Sequence, residues 1–198
     1  GCDAFFPDLD ISRYKSVIGG IATQVRLRNI ASAHKTTSSA LHRRFELDSH
    51  ADTCCAGKGF KVLMETSREA DVLPFIEGIA KVPSVPICHC YTAVNHPESG
   101  ETLIILVNHA LFFGDSLDVS LLSTAQMEAH GTIVEGSMRH MTEGRSRHVI
   151  QAMEPDVTLP LDVRNVFSGI DCRRPTDDEE ATCRWVTLTS ENEWDPTS

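Results

Sequence analysis

At 198 residues, with 41% of them apolar, the chain is long and apolar enough for one cored domain or for a domain with extensions. Its formal net charge of −10 argues against a nucleic-acid-binding surface, because such a surface needs a basic patch. No apolar run approaches the length of a membrane span. We therefore expect neither a nucleic-acid partner nor a membrane partner for this domain.

The first forty residues are predicted to form an N-terminal extension and linker. Residues 23–27 alternate like a short strand. Residues 31–40, ASAHKTTSSA, have little apolar bulk, which is typical of a linker or a processing site. The chain then divides into a core at 41–135 and a C-terminal extension with β-strands at 136–198.

Residues 45–57, FELDSHADTCCAG, begin with an alternation of apolar and polar side chains that is typical of a half-buried strand. The small and polar residues that follow favour a turn, because their side chains bond nearby backbone groups. Asp48 therefore comes at the end of a strand, with a hydroxyl beside it. From the residues alone it is either a capping residue or a rigidly held acid.

The middle of the chain predicts an antiparallel hairpin, with strands at 85–94 and 102–107 and a turn at 95–100. Further strands are expected at 60–65 and 110–114. Many short strands make the fold class mainly β.

One helix is predicted near 121–130. Ser120 can cap it, Leu121 and Met127 lie on its apolar side, and Gly131 can end it. Near the C-terminus, the acidic residues 176–180 are expected to be exposed before a last strand at 182–189.

Two segments together resemble a known protease family. Residues 48–53, DSHADT, resemble the Asp-Thr/Ser-Gly-Ala signature of retroviral-type aspartic proteases. Residues 120–127, SLLSTAQM, closed by Gly131, resemble the Asn-Leu-Leu-Ser-x-x-Gln-Leu segment of copia-type retrotransposon proteases, at a similar interval. The resemblance covers residues 45–134. It implies a retropepsin-like closed β-barrel of short strands with one helix, and an aspartic endopeptidase that processes a retrotransposon polyprotein.

The resemblance also implies how the enzyme would work. Two carboxylates about 3 Å apart share one proton, so that one activates water while the other polarises the scissile carbonyl. This chain carries one such motif, so a homodimer would supply Asp48 from each subunit. The substrate would be an extended peptide or polyprotein. No cofactor is needed, and the location would be intracellular, in the cytoplasm or within virus-like particles.

Further site residues follow from the resemblance. Ser49 would bond the carboxylate network below the site. Asp52 and the backbone of Ala51 would hold the main chain of the substrate. Residues 75–80, with Glu77 and Gly78 at their centre, match the place of the flap that closes over substrate.

The chain departs from the family at His50, which stands where the family has Gly. The imidazole adds bulk and a titratable group beside Asp48. It can point away from the substrate-binding site, alter the ionisation of Asp48 and shift the pH optimum, or mark an inactive protease retained as a dimer scaffold.

A second class of function is zinc binding, because several Cys and His residues are close in sequence. The spacing of Cys88, His89 and Cys90 is tighter than the usual zinc turn, and a strand would put His89 on the face opposite the two cysteines. The other candidate ligands are His50, Cys54 and Cys55. We predict no metal site and interpret the cysteines as small core side chains and free thiols of a reducing compartment, with a Cys172–Cys183 pair left open.

A third class is a non-enzymatic interaction domain. Trp185 and Trp194 are large anchors that would seek either a partner surface or their own domain, and we expect the latter.

Overall fold

Strands dominate the part of the chain that the structure describes. The computed structural model describes residues 14–18, 21–24, 43–74, 82–137, 141–154, 156–164 and 166–196. Within these ranges the fold is mainly β, with two short helices. The predicted flap at 75–80 and the predicted linker at 31–40 lie outside the described residues.

The strands of the first half are β1 (Tyr14–Ile18), β2 (Ile21–Gln24), β3 (Arg43–Asp48), β4 (Cys55–Gly57), β5 (Lys61–Pro74), β6 (Val82–Asn95) and β7 (Thr102–Gly114). Those that follow are β8 (Val119–Ser123), β9 (Ile133–Val134), β10 (Val149–Gln151), β11 (Thr158–Pro160), β12 (Asp162–Arg164), β13 (Phe167–Cys172) and β14 (Arg184–Thr187). The helices are α1 (Thr124–Ala129) and α2 (Asp177–Thr182).

One mixed sheet of eleven strands organises the molecule. Its strand order is β12-β13-β3-β8-β4-β7-β6-β5-β1-β2, and β14 pairs with β7 beside this path. A smaller sheet has the order β11-β10-β9. Because β13 pairs with β3 and β14 pairs with β7, the C-terminal part of the chain belongs to the same sheet as the DSHADT segment.

The predicted hairpin is confirmed and is longer than expected. Strands β6 and β7 pair antiparallel from Ile87 with Leu111 to Asn95 with Thr102. The separate strand expected at 110–114 is the continuation of β7. The polar Asn108 does not interrupt β7, because its backbone N–H donates to Thr189 Oγ1 at 2.6 Å.

The predicted helix begins later than the sequence suggests. Residues 121–123 are not helical but form the end of β8, which pairs in parallel with β3. The pairing buries Leu121 and Leu122, and that burial outweighs their helical propensity. Ser123 then caps α1 by accepting the Gln126 N–H at 3.1 Å.

A second helix stands where the sequence predicted only an exposed acidic stretch. Thr176 and Glu179 form a capping box at the start of α2, in which each side chain bonds the other residue's backbone. The carboxylates of the first turn also complement the helix dipole.

The main core lies on the face of the large sheet that is covered by the small sheet. Among its fully buried members are Phe45, Phe60, Leu122, Met127 and Ile150. Phe45 belongs to the strand that carries Asp48, so core packing fixes the position of that strand.

Candidate active site

Asp48 is the last residue of β3, an inner strand of the large sheet. The strand lies between β8, which is parallel to it, and β13, which is antiparallel. The register places Asp48 opposite Ser123 of β8. Asp48 is only 6% exposed. Its own pairing partner is in β8, since β13 pairs with β3 only as far as Glu46.

The turn after Asp48 folds back onto the carboxylate. The His50 backbone N–H donates to Asp48 Oδ1 at 2.8 Å, and the Ala51 N–H donates to the Asp48 carbonyl at 3.4 Å. Ser123 Oγ donates to the Ala51 carbonyl at 2.7 Å. Both backbone groups of Ala51 are therefore hydrogen bonded within this chain.

Gln126 of α1 provides a second attachment for the same turn. Its Oε1 accepts the Cys54 backbone N–H at 2.8 Å, and its Nε2 donates to the Asn108 carbonyl at 2.9 Å. The Gln126 side chain is 2% exposed. One buried amide thus links the end of the turn to β7.

The imidazole of His50 lies at the surface beside Asp48. Its Nδ1 is 3.9 Å from Asp48 Oδ1 and 3.3 Å from Ser49 Oγ, and its side chain is 58% exposed. The ring is therefore a close but solvent-exposed neighbour of the buried Asp48 carboxylate.

Asp52 is the second carboxylate of the turn and has a different environment. Burial raises the pKa of its carboxyl from 3.8 to about 6, although the Thr53 hydroxyl, which donates to Oδ1 at 2.9 Å, acts in the opposite direction. The indole N–H of Trp194 donates to the Asp52 carbonyl at 2.9 Å. The far C-terminal part of the chain thus contacts the turn.

A cavity of about 410 Å³ opens beside the turn. Ser49 and Leu47 line it from the side of Asp48, and Thr124 and Glu128 line it from α1. Phe167 contributes an apolar wall. The cavity is large enough for one or two amino-acid side chains.

The cysteines of the region are buried thiols. Burial raises the pKa of Cys54 to about 12 and that of Cys55 well above its usual value. All six cysteines of the described ranges are free, including Cys172 and Cys183. A high pKa keeps a thiol protonated, which disfavours metal ligation.

The ligands considered for zinc are not brought together. His89 hydrogen-bonds Asn108, while Cys88 and Cys90 lie in the main core. Among the residues that the structure describes, no group of three or more His, Cys, Asp or Glu side chains could hold a metal ion.

Of the predicted site residues, the structure brings Asp48, Ser49, His50, Ala51 and Asp52 together in one turn. Glu77 and Gly78 lie outside the described residues.

Sequence reasoning missed three residues that hold the turn. Ser123 and Gln126 could have been found, because Ser-x-x-Gln is a helix-start pattern. Trp194 had no sequence signal that pointed to Asp52. Both tryptophans pack on their own domain as expected, Trp185 with its ring centroid 5.1 Å from that of Tyr91.

Comparison with protein-family models, with curated proteins and with solved structures gives no match to this chain. Over the described ranges, the structure contains no helix with the length and apolarity needed to cross a membrane.

Proposed function

We propose that the chain is an aspartic endopeptidase of the copia-type, retropepsin-like class that processes a retrotransposon polyprotein. One observation carries the proposal. The two segments that resemble this family are far apart in sequence, yet the first begins at the end of β3 and the second contains part of the neighbouring β8, with Asp48 opposite Ser123. A buried carboxylate at the end of a strand, held by a backbone N–H, is a rigid acid of the kind such catalysis needs.

The proposed site is completed by a second copy of the chain. Asp48 of each subunit would form a pair that holds one proton, in which the ionised carboxylate takes a proton from water and the protonated one polarises the scissile carbonyl. A two-fold axis through the turns would bring the two carboxylates together.

An extended peptide fits the surroundings of the turn. The cavity lined by Leu47, Ser49 and Phe167 offers space for a side chain next to Asp48. Strands β5 and β6 pair antiparallel over most of their length, and the residues matched to the flap lie outside the described residues, between these strands in sequence. The closed barrel that the resemblance implies is part of the proposal; among the described residues the large sheet runs from β12 to β2, and no pairing joins these two ends.

A second candidate is a catalytically inactive dimerisation domain of the same class. The closeness of the His50 ring to Asp48, 3.9 Å between Nδ1 and Oδ1, favours it, because a protonated imidazole there stabilises the ionised carboxylate and opposes a shared proton. Under this candidate the purified chain dimerises but cleaves no peptide.

The test is Asp48→Asn. The amide oxygen can still accept the His50 N–H, so the fold should persist, but the proton-transferring group is lost. We expect peptide cleavage by the purified protein to fall by at least about a thousandfold, in line with the loss of a general acid–base. Circular dichroism and the sedimentation coefficient should not change.

The matched control is Asp118→Asn, which removes a carboxylate that is 77% exposed and bonded to Lys58. Its cleavage rate should equal that of the wild type. Equal cleavage by wild type and Asp48→Asn would overturn the proposed function, and a dimeric wild type that cleaves nothing would favour the inactive candidate.

A further inference from the structure

Residues 188–194 form a C-terminal strap that leaves β14 and runs along β7 towards the Asp48 turn. The Leu188 N–H donates to the Leu106 carbonyl at 3.0 Å. Thr189 and Asn108 then make three hydrogen bonds, of which the shortest, from the Asn108 N–H to Thr189 Oγ1, is 2.6 Å. Thr189 is fully buried, so the strap begins as a fixed part of the sheet.

The middle of the strap is held by β7 and by β5. His109 Nε2 lies 3.1 Å from the Glu191 carbonyl oxygen, which can accept a hydrogen bond from the ring N–H. Arg68 of β5 pairs with Glu193 at 3.3 Å. Contacts from two strands of the sheet, β7 and β5, thus lead the strap to its end at Trp194.

Trp194 ends the strap on the turn that carries Asp52. Its indole N–H donates to the Asp52 carbonyl at 2.9 Å and lies 3.3 Å from Thr53 Oγ1. The Thr53 hydroxyl in turn donates to Asp52 Oδ1 at 2.9 Å. The indole therefore fixes both the backbone and, through Thr53, the carboxyl of Asp52.

We propose that Trp194 is a positioning residue that orients the Asp52–Thr53 turn for binding the main chain of the substrate. This inference rests on the proposed function, in which Asp52 contacts substrate. Asp48 is held separately, by its pairing with β8 and by the His50 N–H. The loss of the indole N–H should therefore weaken substrate binding more than it slows the chemical step.

The first measurement follows the indole N–H signal of Trp194 in two-dimensional ¹⁵N–¹H NMR spectra between pH 4 and pH 8. Because Asp52 has a pKa of about 6 and bonds to Thr53, its ionisation should move the Trp194 signal with a midpoint near that pH. Asp52→Asn should abolish the movement. The Trp194 signal is assigned from its absence in Trp194→Phe.

The second measurement is the rate of peptide cleavage by Trp194→Phe, which keeps an aromatic ring but has no N–H. We expect KM to rise about five- to tenfold, the effect of losing one buried hydrogen bond, while kcat changes by less than about twofold. The matched control is Trp185→Phe, because the Trp185 indole also donates to a backbone carbonyl, that of Glu180, at 3.1 Å. Its KM and kcat should equal those of the wild type.

The outcomes separate this inference from the proposed function. If the wild type cleaves peptides and Trp194→Phe has an unchanged KM, or loses kcat instead, only the inference is overturned. A Trp194 signal that does not respond to pH, or that still responds in Asp52→Asn, overturns it as well. If the wild type cleaves no peptide, the proposed function fails, and the role of Trp194 in substrate binding fails with it.

Discussion

His50 contacts Asp48 in two separate ways, and only one of them depends on the imidazole. The backbone N–H donates to Asp48 Oδ1 at 2.8 Å, as any residue at this position could do. The ring nitrogen Nδ1 is 3.9 Å from the same oxygen. Replacing His by the Gly of the family therefore keeps the first contact and removes the second.

We expect His50→Gly to extend peptide cleavage to lower pH. A protonated imidazole near the carboxylate pair favours its doubly ionised form, whereas catalysis needs one shared proton. Wild-type activity should therefore decline on the acid side of the profile, where the variant stays active. The measurement is the pH dependence of kcat/KM for both proteins with one peptide.

The same substitution at another histidine, His130→Gly, is not a suitable control, since His130 is the C-cap of α1. His50→Gln is preferable, because it keeps the bulk and cannot become charged. It should match the pH profile of His50→Gly. Superimposable profiles for the wild type and both variants would mean that the ring has no part in the ionisation of Asp48.

At the scale of elements, the joint between β8 and α1 holds the Asp48 turn. Gln126 is the key side chain of this joint, because its amide must accept from the Cys54 N–H and donate to the Asn108 carbonyl at the same time. The His109 carbonyl is a third neighbour, 3.4 Å from Nε2. A side chain with two acceptor oxygens cannot satisfy this arrangement.

We therefore expect Gln126→Glu to lower the free energy of unfolding by about 3 kcal/mol at pH 7, the usual cost of an uncompensated buried charge. Burial and the two carbonyls should raise the pKa of the introduced carboxyl above its unfolded value. The deficit should then be largest above that raised pKa and shrink as the pH falls, because the protonated acid can donate to Asn108. Urea unfolding at pH 5 and pH 8 measures both effects.

Gln151→Glu is the control, because Gln151 accepts from Arg147 at 3.0 Å in an exposed position. The new charge there faces an arginine, so the loss of stability should be close to zero at both pH values. A Gln126→Glu protein as stable as the wild type at pH 8 would show that the amide does not hold the turn.

Local patterns predicted the elements that pair with their neighbours in sequence. The β6–β7 hairpin was predictable because turn residues at 95–100 separate two apolar runs. The predicted start of α1 was wrong, because Leu121 and Leu122 lie in a strand whose partner, β3, is distant in sequence. No local signal distinguishes such a strand from the first turn of an apolar helix.

At the scale of the whole molecule, the candidate site also combines residues that a local pattern reveals with residues that only the sheet topology brings close. Asp48, Ser49 and Asp52 could be selected from one motif, since they lie within a stretch of five residues. Their supports come from β8, α1 and the C-terminal strap, which reach the turn only through the sheet topology. The role of Trp194 therefore had to come from the structure.

Symmetry makes the proposed enzyme sensitive to the composition of its dimer. Each chain supplies one Asp48, so a dimer with one Asp48→Asn subunit has only half of the carboxylate pair. We expect such mixed dimers to be inactive, because the remaining carboxylate has no partner with which to share a proton.

The measurement is peptide cleavage after wild type and Asp48→Asn are mixed in equal amounts and allowed to exchange subunits. Random exchange leaves about a quarter of the dimers fully wild type, so the rate per total protein should fall to about a quarter of that of the wild type alone. The control mixes the wild type with Asp118→Asn, an exposed carboxylate away from the turn, and should keep the full rate. A rate of about a half in the first mixture would mean that each chain acts alone. A single chain would then have to supply both carboxylates, and the shared site across a two-fold axis would be wrong.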